Sequence, residues 1–235
     1  MNREDEVRDL LALSPEEVLE RAGDRLILCE DLVELHLHFA RQVMVQIRAA
    51  EAEERPCRLI LPVGPTGGYP YLVQLIQDEH VDLSRCWFFF MDEYVVGGKA
   101  VSPAHPLSFK GVMDELFFGP LGDQAGLRRE QVIFPNEENI GSLAEMIAEG
   151  GLDACLGGVG IHGHVAFNEP ERGVADSGPR RVQLNDYTVT INAVRAGVGG
   201  NLECFPREAF TLGMRQILSA RRIFLYVRNG CEFDW

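Results

Sequence analysis

The chain has 235 residues, 46% of them hydrophobic, enough to bury a large core and fold as one α/β domain over 1–235. Its 22 basic and 36 acidic residues leave a net charge of -14, a field that argues against nucleic acid or an anionic membrane as the main partner but permits a local basic pocket for a small anion. No apolar run approaches the roughly 18 residues of a membrane helix. The six cysteines (Cys29, Cys57, Cys86, Cys155, Cys204, Cys231) show neither CxxC nor metal-ligand spacing, and with no signal peptide evident a soluble protein of a reducing cytoplasm is expected.

In chain order, Ser14-Pro15-Glu16-Glu17 reads as a helix start, with serine as cap and proline at the first helical position. Residues 31–54 form a long amphipathic helix in which Leu32, Leu35, Phe39, Val43 and Ile47 mostly keep the helical period. His36 and His38 lie within it, two apart and so on different faces, a poor arrangement for a metal. Cys57–Gly64 is a short apolar strand running into Gly64-Pro-Thr-Gly-Gly-Tyr-Pro70, after which helical spacing begins at Tyr71. A strand, a glycine turn bearing a hydroxyl and a helix amino terminus make a natural anion cradle, although a tight turn needing glycine for geometry has the same appearance.

Cys86–Met91 is a second strand, apolar throughout as central parallel strands tend to be, and it ends in Asp92-Glu93-Tyr94. Acids at the carboxyl end of such a strand are site candidates. A polar loop is expected next, then a helix led by His105-Pro-Leu-Ser-Phe109 through Phe118, a short strand at 131–134, a helix at 140–149 and a strand at 152–156. That strand feeds Leu156-Gly-Gly-Val-Gly-Ile-His-Gly-His-Val-Ala-Phe-Asn-Glu-Pro170, where His162, His164, Asn168 and Glu169 crowd into eight residues. Imidazole and carboxylate together on a loop that a ligand can approach suit proton transfer at a small molecule; an ordinary strand-to-loop turn with polar surface histidines is the plainer account. Residues 171–181 are polar and suggest a mobile lid, 183–192 a strand or lid edge, 208–219 a helix and 222–227 a last buried strand. Alternating strands and helices give an α/β fold, a Rossmann-like parallel sheet flanked by helices with a mobile lid segment around 171–192. The chain stops only eight residues past that last strand, where a covering helix is expected, so a shortened or naturally abbreviated end is anticipated.

Three loops together resemble the glucosamine-6-phosphate deaminase (isomerase) family: Pro65-Thr-Gly-Gly68; Met91-Asp-Glu-Tyr94 with His105-Pro-x-Ser108; and Gly157-Gly-Val-Gly-x-x-Gly-His-x-Ala-Phe-Asn-Glu-Pro170. The likeness runs from about Leu59 to Val227 with the motifs in family order, and Asn168-Glu169-Pro170 looks more like the deaminases than the related 6-phosphogluconolactonases. The resemblance implies opening of an amino sugar phosphate ring, proton transfer between C2 and C1, and loss of ammonia to give a ketose phosphate. Asp92 matches the enolising carboxylate, His164 the ring-opening acid/base, Glu169 its supporting carboxylate, and Thr66, Gly67 and Gly68 the phosphate turn. It implies no metal or organic cofactor, a small sugar phosphate as partner and, as the family often associates, a possible homo-oligomer.

Departures accompany the match. His162 stands where the family has an aspartate of the ring-opening set, and it is kept as a catalytic candidate that substitutes as a base or reorients His164. The family's phosphate-binding lysine aligns near Glu232 and its arginine near Val194, with Arg195 as the nearest cation; Tyr69 replaces a small hydroxyl residue. The leading expectation is an amino-sugar-phosphate isomerase/deaminase. The alternatives are a catalytically impaired sugar-phosphate-binding or sensor protein on the same fold and, less favoured, a lactone or ester hydrolase.

Overall fold

A computed structural model describes residues 2–198 and 201–227, and the chain divides into two compact units that meet at Glu34/Leu35. The first holds helices α1 (Arg3–Leu11) and α2 (Pro15–Ala22) and the start of α3 (Leu32–Ala52). The expected start of α2 is present as a reciprocal capping box: Glu17 N–H donates to Ser14 Oγ (3.2 Å) while Ser14 N–H donates to Glu17 Oε2 (2.8 Å).

The second unit carries the rest. From α3 the chain enters β1 (Cys57–Leu61), a 3-10 turn at Thr66–Gly68, α4 (Tyr69–Asp78) and β2 (Cys86–Phe90). After β2 come β3 (Asp92–Val96), β4 (Lys99–Ala100), α5 (Phe109–Met113), a π-helical turn (Asp114–Phe118), α6 (Gly119–Leu121), β5 (Val132–Ile133), α7 (Leu143–Gly150) and β6 (Ala154–Gly158). The last elements described are β7 (Arg180–Gln183), α8 (Asp186–Arg195), β8 (Glu208–Thr211), α9 (Met214–Leu218) and β9 (Arg222–Tyr226).

Five strands make a parallel sheet in the order β5-β2-β1-β6-β9. Because side chains alternate across a strand, Leu59, Leu61, Phe88 and Phe90 face one layer with Phe39 of α3 and Tyr69 of α4, while Ile60, Phe89 and Cys155 face the other with Leu143 and Ile147 of α7 and Ile217 of α9. The inner strands are covered on both faces, which is why they read as unbroken apolar runs, whereas β9, read from the sequence as a buried strand, is an edge strand with Ile223 39% and Leu225 47% exposed.

A second, four-stranded antiparallel sheet, β4-β3-β8-β7, departs from the sequence reading. Asp92 opens a strand, not a loop. Met91 links the sheets by donating its N–H to Leu61 O (3.2 Å) and accepting from Leu212 N–H (2.8 Å). The expected polar loop is a hairpin whose two-residue turn, Gly97 and Gly98, has φ of 61° and 82°, as a tight hairpin requires. The sequence reads 208–219 as one helix, but residues 208–211 pair with β3 and β7 and only 214–218 are helical. Gly213 separates them at a place where a Cβ would come within 2.1 Å of Ser177 O, so tertiary pairing overrides local helix propensity. Residues 183–192, read as strand or lid edge, end a strand at Gln183 and begin a helix at Asp186, where Asn185 Oδ1 caps Thr188 N–H at 3.0 Å.

Candidate active site

Three neighbouring parallel strands release their chains at the same end of the sheet: β1 into the Thr66–Gly68 turn, β2 into Asp92, and β6 into the loop bearing His164. Carboxyl ends of adjacent strands are where such folds gather ligands. Here they surround a cavity of about 580 Å³, lined by Thr66, Gly67, Asp92 and His164 from these loops. Helix α3 adds His36, α8 adds Asn192 and Arg195, and β9 adds Tyr226.

Asp92 is 7% exposed. Burial, followed by the neighbouring Glu93, raises its pKa to about 8. Glu93, the next residue on β3, points the other way. Its carboxylate accepts from Ser108 Oγ (2.9 Å) and from the N–H groups of Tyr94 (2.9 Å), Phe109 (3.0 Å) and Lys110 (2.9 Å). It thereby ties β3 to the start of α5. Burial raises the Glu93 pKa, against the pull of those four donors. The Asp92–Glu93 pair thus separates into a cavity acid and an internal staple.

His164 is held by a chain of three side chains. Its Nδ1 lies 3.0 Å from Nδ1 of His162, and Nε2 of His162 lies 2.8 Å from Glu169 Oε2. If His162 Nε2 carries its proton toward the Glu169 carboxylate, His162 Nδ1 accepts and His164 Nδ1 donates; if it accepts from Asn185 Nδ2, 2.8 Å away, the order is reversed. The first order leaves His164 Nε2 with its lone pair. Asn185 Nδ2 also donates to Glu169 Oε2 (2.5 Å) and lies 2.8 Å from His162 Nε2, while the cap bond to Thr188 fixes its amide orientation. Burial first, then His162 and Arg195, lowers the His164 pKa to about 4, so the ring is neutral at pH 7. Glycine at 160 makes room for the ring: a Cβ there would come within 2.1 Å of His164 Nε2 and displace it.

The loop that carries these groups is anchored from below. Asn168, 4% exposed, donates to Val165 O (3.0 Å) and Leu212 O (2.9 Å) and accepts from Arg180 Nη1 (2.8 Å). Ala166, on the cavity wall, adopts φ of 54°, a strained conformation for a residue with a side chain.

At the glycine turn the candidates part. Thr66 and Gly67 line the cavity, whereas Gly68 is buried under Phe39 of α3, whose ring a Cβ would approach within 2.4 Å. Tyr69 is fully buried and donates its hydroxyl to Pro62 O (2.5 Å), so it does not offer that hydroxyl to the cavity. Arg195 lines the cavity and Glu232 lies outside the described residues.

Among the described residues, His162, His164 and Glu169 are the group offering three metal-ligand atoms, all within 4.8 Å of one another. Within it, His162 Nδ1 lies 3.0 Å from His164 Nδ1 and its Nε2 2.8 Å from Glu169 Oε2.

Sequence reasoning passed over Asn185 and Asn192 and placed no role on His36. Asn185 was legible as a cap before Asp186. Asn192 precedes Arg195 by three residues and so shares its helix face. The position of His36 over the glycine turn has no local signal, because it depends on how α3 packs against α4.

Comparison with known proteins fits this architecture. No family model matches the chain. A monomeric glucosamine-6-phosphate deaminase of the NagB superfamily superposes with a TM-score of 0.71 at 28% identity, over 84% of this chain and 79% of that one. A 6-phosphogluconolactonase from Thermotoga maritima shares the fold at a TM-score of 0.62 and 17% identity, over 87% of this chain and 84% of that one. The fold is thus the one shared by these deaminase and lactonase structures. A glucosamine-6-phosphate deaminase of Phocaeicola vulgatus is 31% identical over 217 residues, 88% of this chain and 78% of the relative. One from Thermoanaerobacter sp. is 31% identical over 168 residues, 68% of this chain, and the match spans 62% of that relative's length. The chain belongs to the glucosamine-6-phosphate deaminase family.

Proposed function

We propose that this chain, acting as a single domain in a reducing cytoplasm, is an isomerase/deaminase that converts glucosamine-6-phosphate or a close relative, with water, to a ketose phosphate and ammonia. The observation that carries the reading is the convergence of Asp92 and His164 on one cavity whose rim also presents Thr66, Gly67 and Arg195. His164 Nε2 takes the proton of the C1 hydroxyl and returns it to the ring oxygen, opening the sugar. The His162–Glu169 pair holds the imidazole in the tautomer this needs and stabilises it while it is charged. Asp92, as carboxylate, takes the C2 proton and delivers it to C1. A second proton passes from the amino group to the C1 oxygen, leaving an imine at C2 and a hydroxyl at C1. Water adds at C2 and ammonia departs as the ketone forms. A carboxylate of raised pKa in a desolvated site is a strong enough base for a carbon acid. Thr66, the turn and Arg195 hold the phosphate.

The altered residue His162 favours one second reading, a sugar-phosphate binder with impaired chemistry, since an imidazole does not supply the fixed negative charge of the family's aspartate. Ammonia release from glucosamine-6-phosphate, measured in a coupled assay on purified protein, decides between them. Turnover is the expected result. Silence across phosphorylated amino sugars, with tight sugar-phosphate binding retained, would replace the enzyme reading by the binder.

A further inference from the structure

We infer that His36, on α3, is a phosphate-recognition residue of this cavity, supplying a cation at the glycine turn. The inference rests on the sugar-phosphate reading above. The turn itself is a weak anion cradle. Thr66 N–H is spent on Gly64 O (3.1 Å), Tyr69 N–H on Thr66 O, and Pro70, second in α4, has no N–H to give. These commitments reduce the amides that usually hold phosphate at a helix start. In a chain of net charge -14 a positive side chain at this point strengthens the hold on an anion.

His36 is placed to be that side chain. Its imidazole lies against the turn so closely that a Cβ on Gly67 would come within 2.1 Å of Cε1 and 2.4 Å of Nε2. It lines the cavity beside Thr66 and Gly67. Arg195, which also lines the cavity, is the second cation that a phosphate there would meet. Helix α3 supports the same wall a second time, since His38 Nδ1 is 3.2 Å from the hydroxyl of Tyr226, another lining residue. A phosphate seated at Thr66 and Gly67 meets His36 within hydrogen-bonding range, and the dianion itself favours the imidazolium.

The test compares the full-length protein with His36→Ala and His36→Gln. Binding of glucose-6-phosphate and of glucose is measured by calorimetry, and turnover of glucosamine-6-phosphate by ammonia release. The expected result for His36→Ala is a loss of about tenfold or more in glucose-6-phosphate affinity with unchanged glucose binding, and a matching rise in KM with kcat within about threefold. His36→Gln, which keeps a donor, falls between. Unchanged glucose-6-phosphate affinity, or an equal loss for both sugars, overturns the inference, the latter because it marks a structural role. If the wild type releases no ammonia yet His36→Ala still loses phosphate-dependent affinity, the enzyme reading fails and the inference stands. If the wild type turns over and KM is unmoved, the reverse holds. A wild type that binds no sugar phosphate overturns both.

Discussion

Nδ1 of His162 and Nδ1 of His164 face each other at 3.0 Å, so one ring must donate and the other accept. The carboxylate of Glu169, 2.8 Å from the far nitrogen of His162, favours the order in which His164 donates, whereas the Asn185 side-chain amide N–H group at 2.8 Å favours the reverse. Replacing Glu169 by Gln removes the charge that favours the first order, because an amide presents a donor as readily as an acceptor. Turnover by Glu169→Gln is expected to fall by about 10²-fold or more, as when a triad loses its orienting acid. Steady-state kinetics check this, and wild-type kcat in the variant would remove this link from the mechanism.

His162→Asp tests the same link from its centre. An aspartate can accept the Nδ1 proton of His164, and Asn185 and Thr188, which now approach His162 Nε2 at 2.8 and 3.4 Å, remain close by. Turnover is expected to be preserved within about tenfold or to improve. A loss beyond about 10²-fold would show that the imidazole has its own task.

Asp92, with a pKa of about 8, sets the pH dependence. As a base it acts only when ionised, so kcat/KM rises with pH and levels off above about 8. A profile flat from pH 6 to 9 would contradict the assignment. Asp92→Asn is expected to reduce turnover by about 10³-fold or more while sparing ligand binding.

Stability follows with the opposite sign. The folded pKa of Asp92 lies above the ordinary value of 3.8, so the unfolded chain releases this proton first. Its contribution is fully present below pH 3.8 and is lost as pH rises through about 8. The melting temperature of Asp92→Asn should therefore gain on the wild type progressively over that window. A constant difference from pH 5 to 8 would show that Asp92 does not titrate as described.

Glu93→Ala should damage the fold instead. It strands the Ser108 hydroxyl and the N–H groups of Phe109 and Lys110 at the start of α5. A loss of about 3 kcal/mol or more in unfolding free energy is expected, measured by denaturant titration. A loss below about 1 kcal/mol would mean that water replaces the carboxylate.

What the sequence showed well was whatever depends on neighbours along the chain. The apolar runs at 57–61, 86–90 and 222–226, the helix through Phe39 and Val43 and the serine cap at 14 all declare themselves by period or residue type. The motif loops that meet at the cavity were readable because glycine, histidine and acid are concentrated at strand ends. The antiparallel sheet was not, because residues 208–211 gain their strand state only by pairing with 92–95 and 180–183, partners distant in sequence. Likewise Glu93 gave no sign of its separate task, since its partners come 15 to 17 residues later. The place of His36 over Gly67 is set by helix packing alone.

The division between Asp92 and Glu93 gives chain length in this region a parity. Asp92 stands opposite Thr211 and Glu93 opposite Phe210, and each successive residue of the strand faces the other side of the sheet. Losing or gaining one residue just before this pair would bring Glu93 to the cavity and turn Asp92 toward the amides of α5. The composition would be almost untouched and both acids would remain, yet each would occupy the other's post with a carboxylate of the wrong reach. Evolution can therefore change side chains along this stretch far more freely than it can change the count of residues.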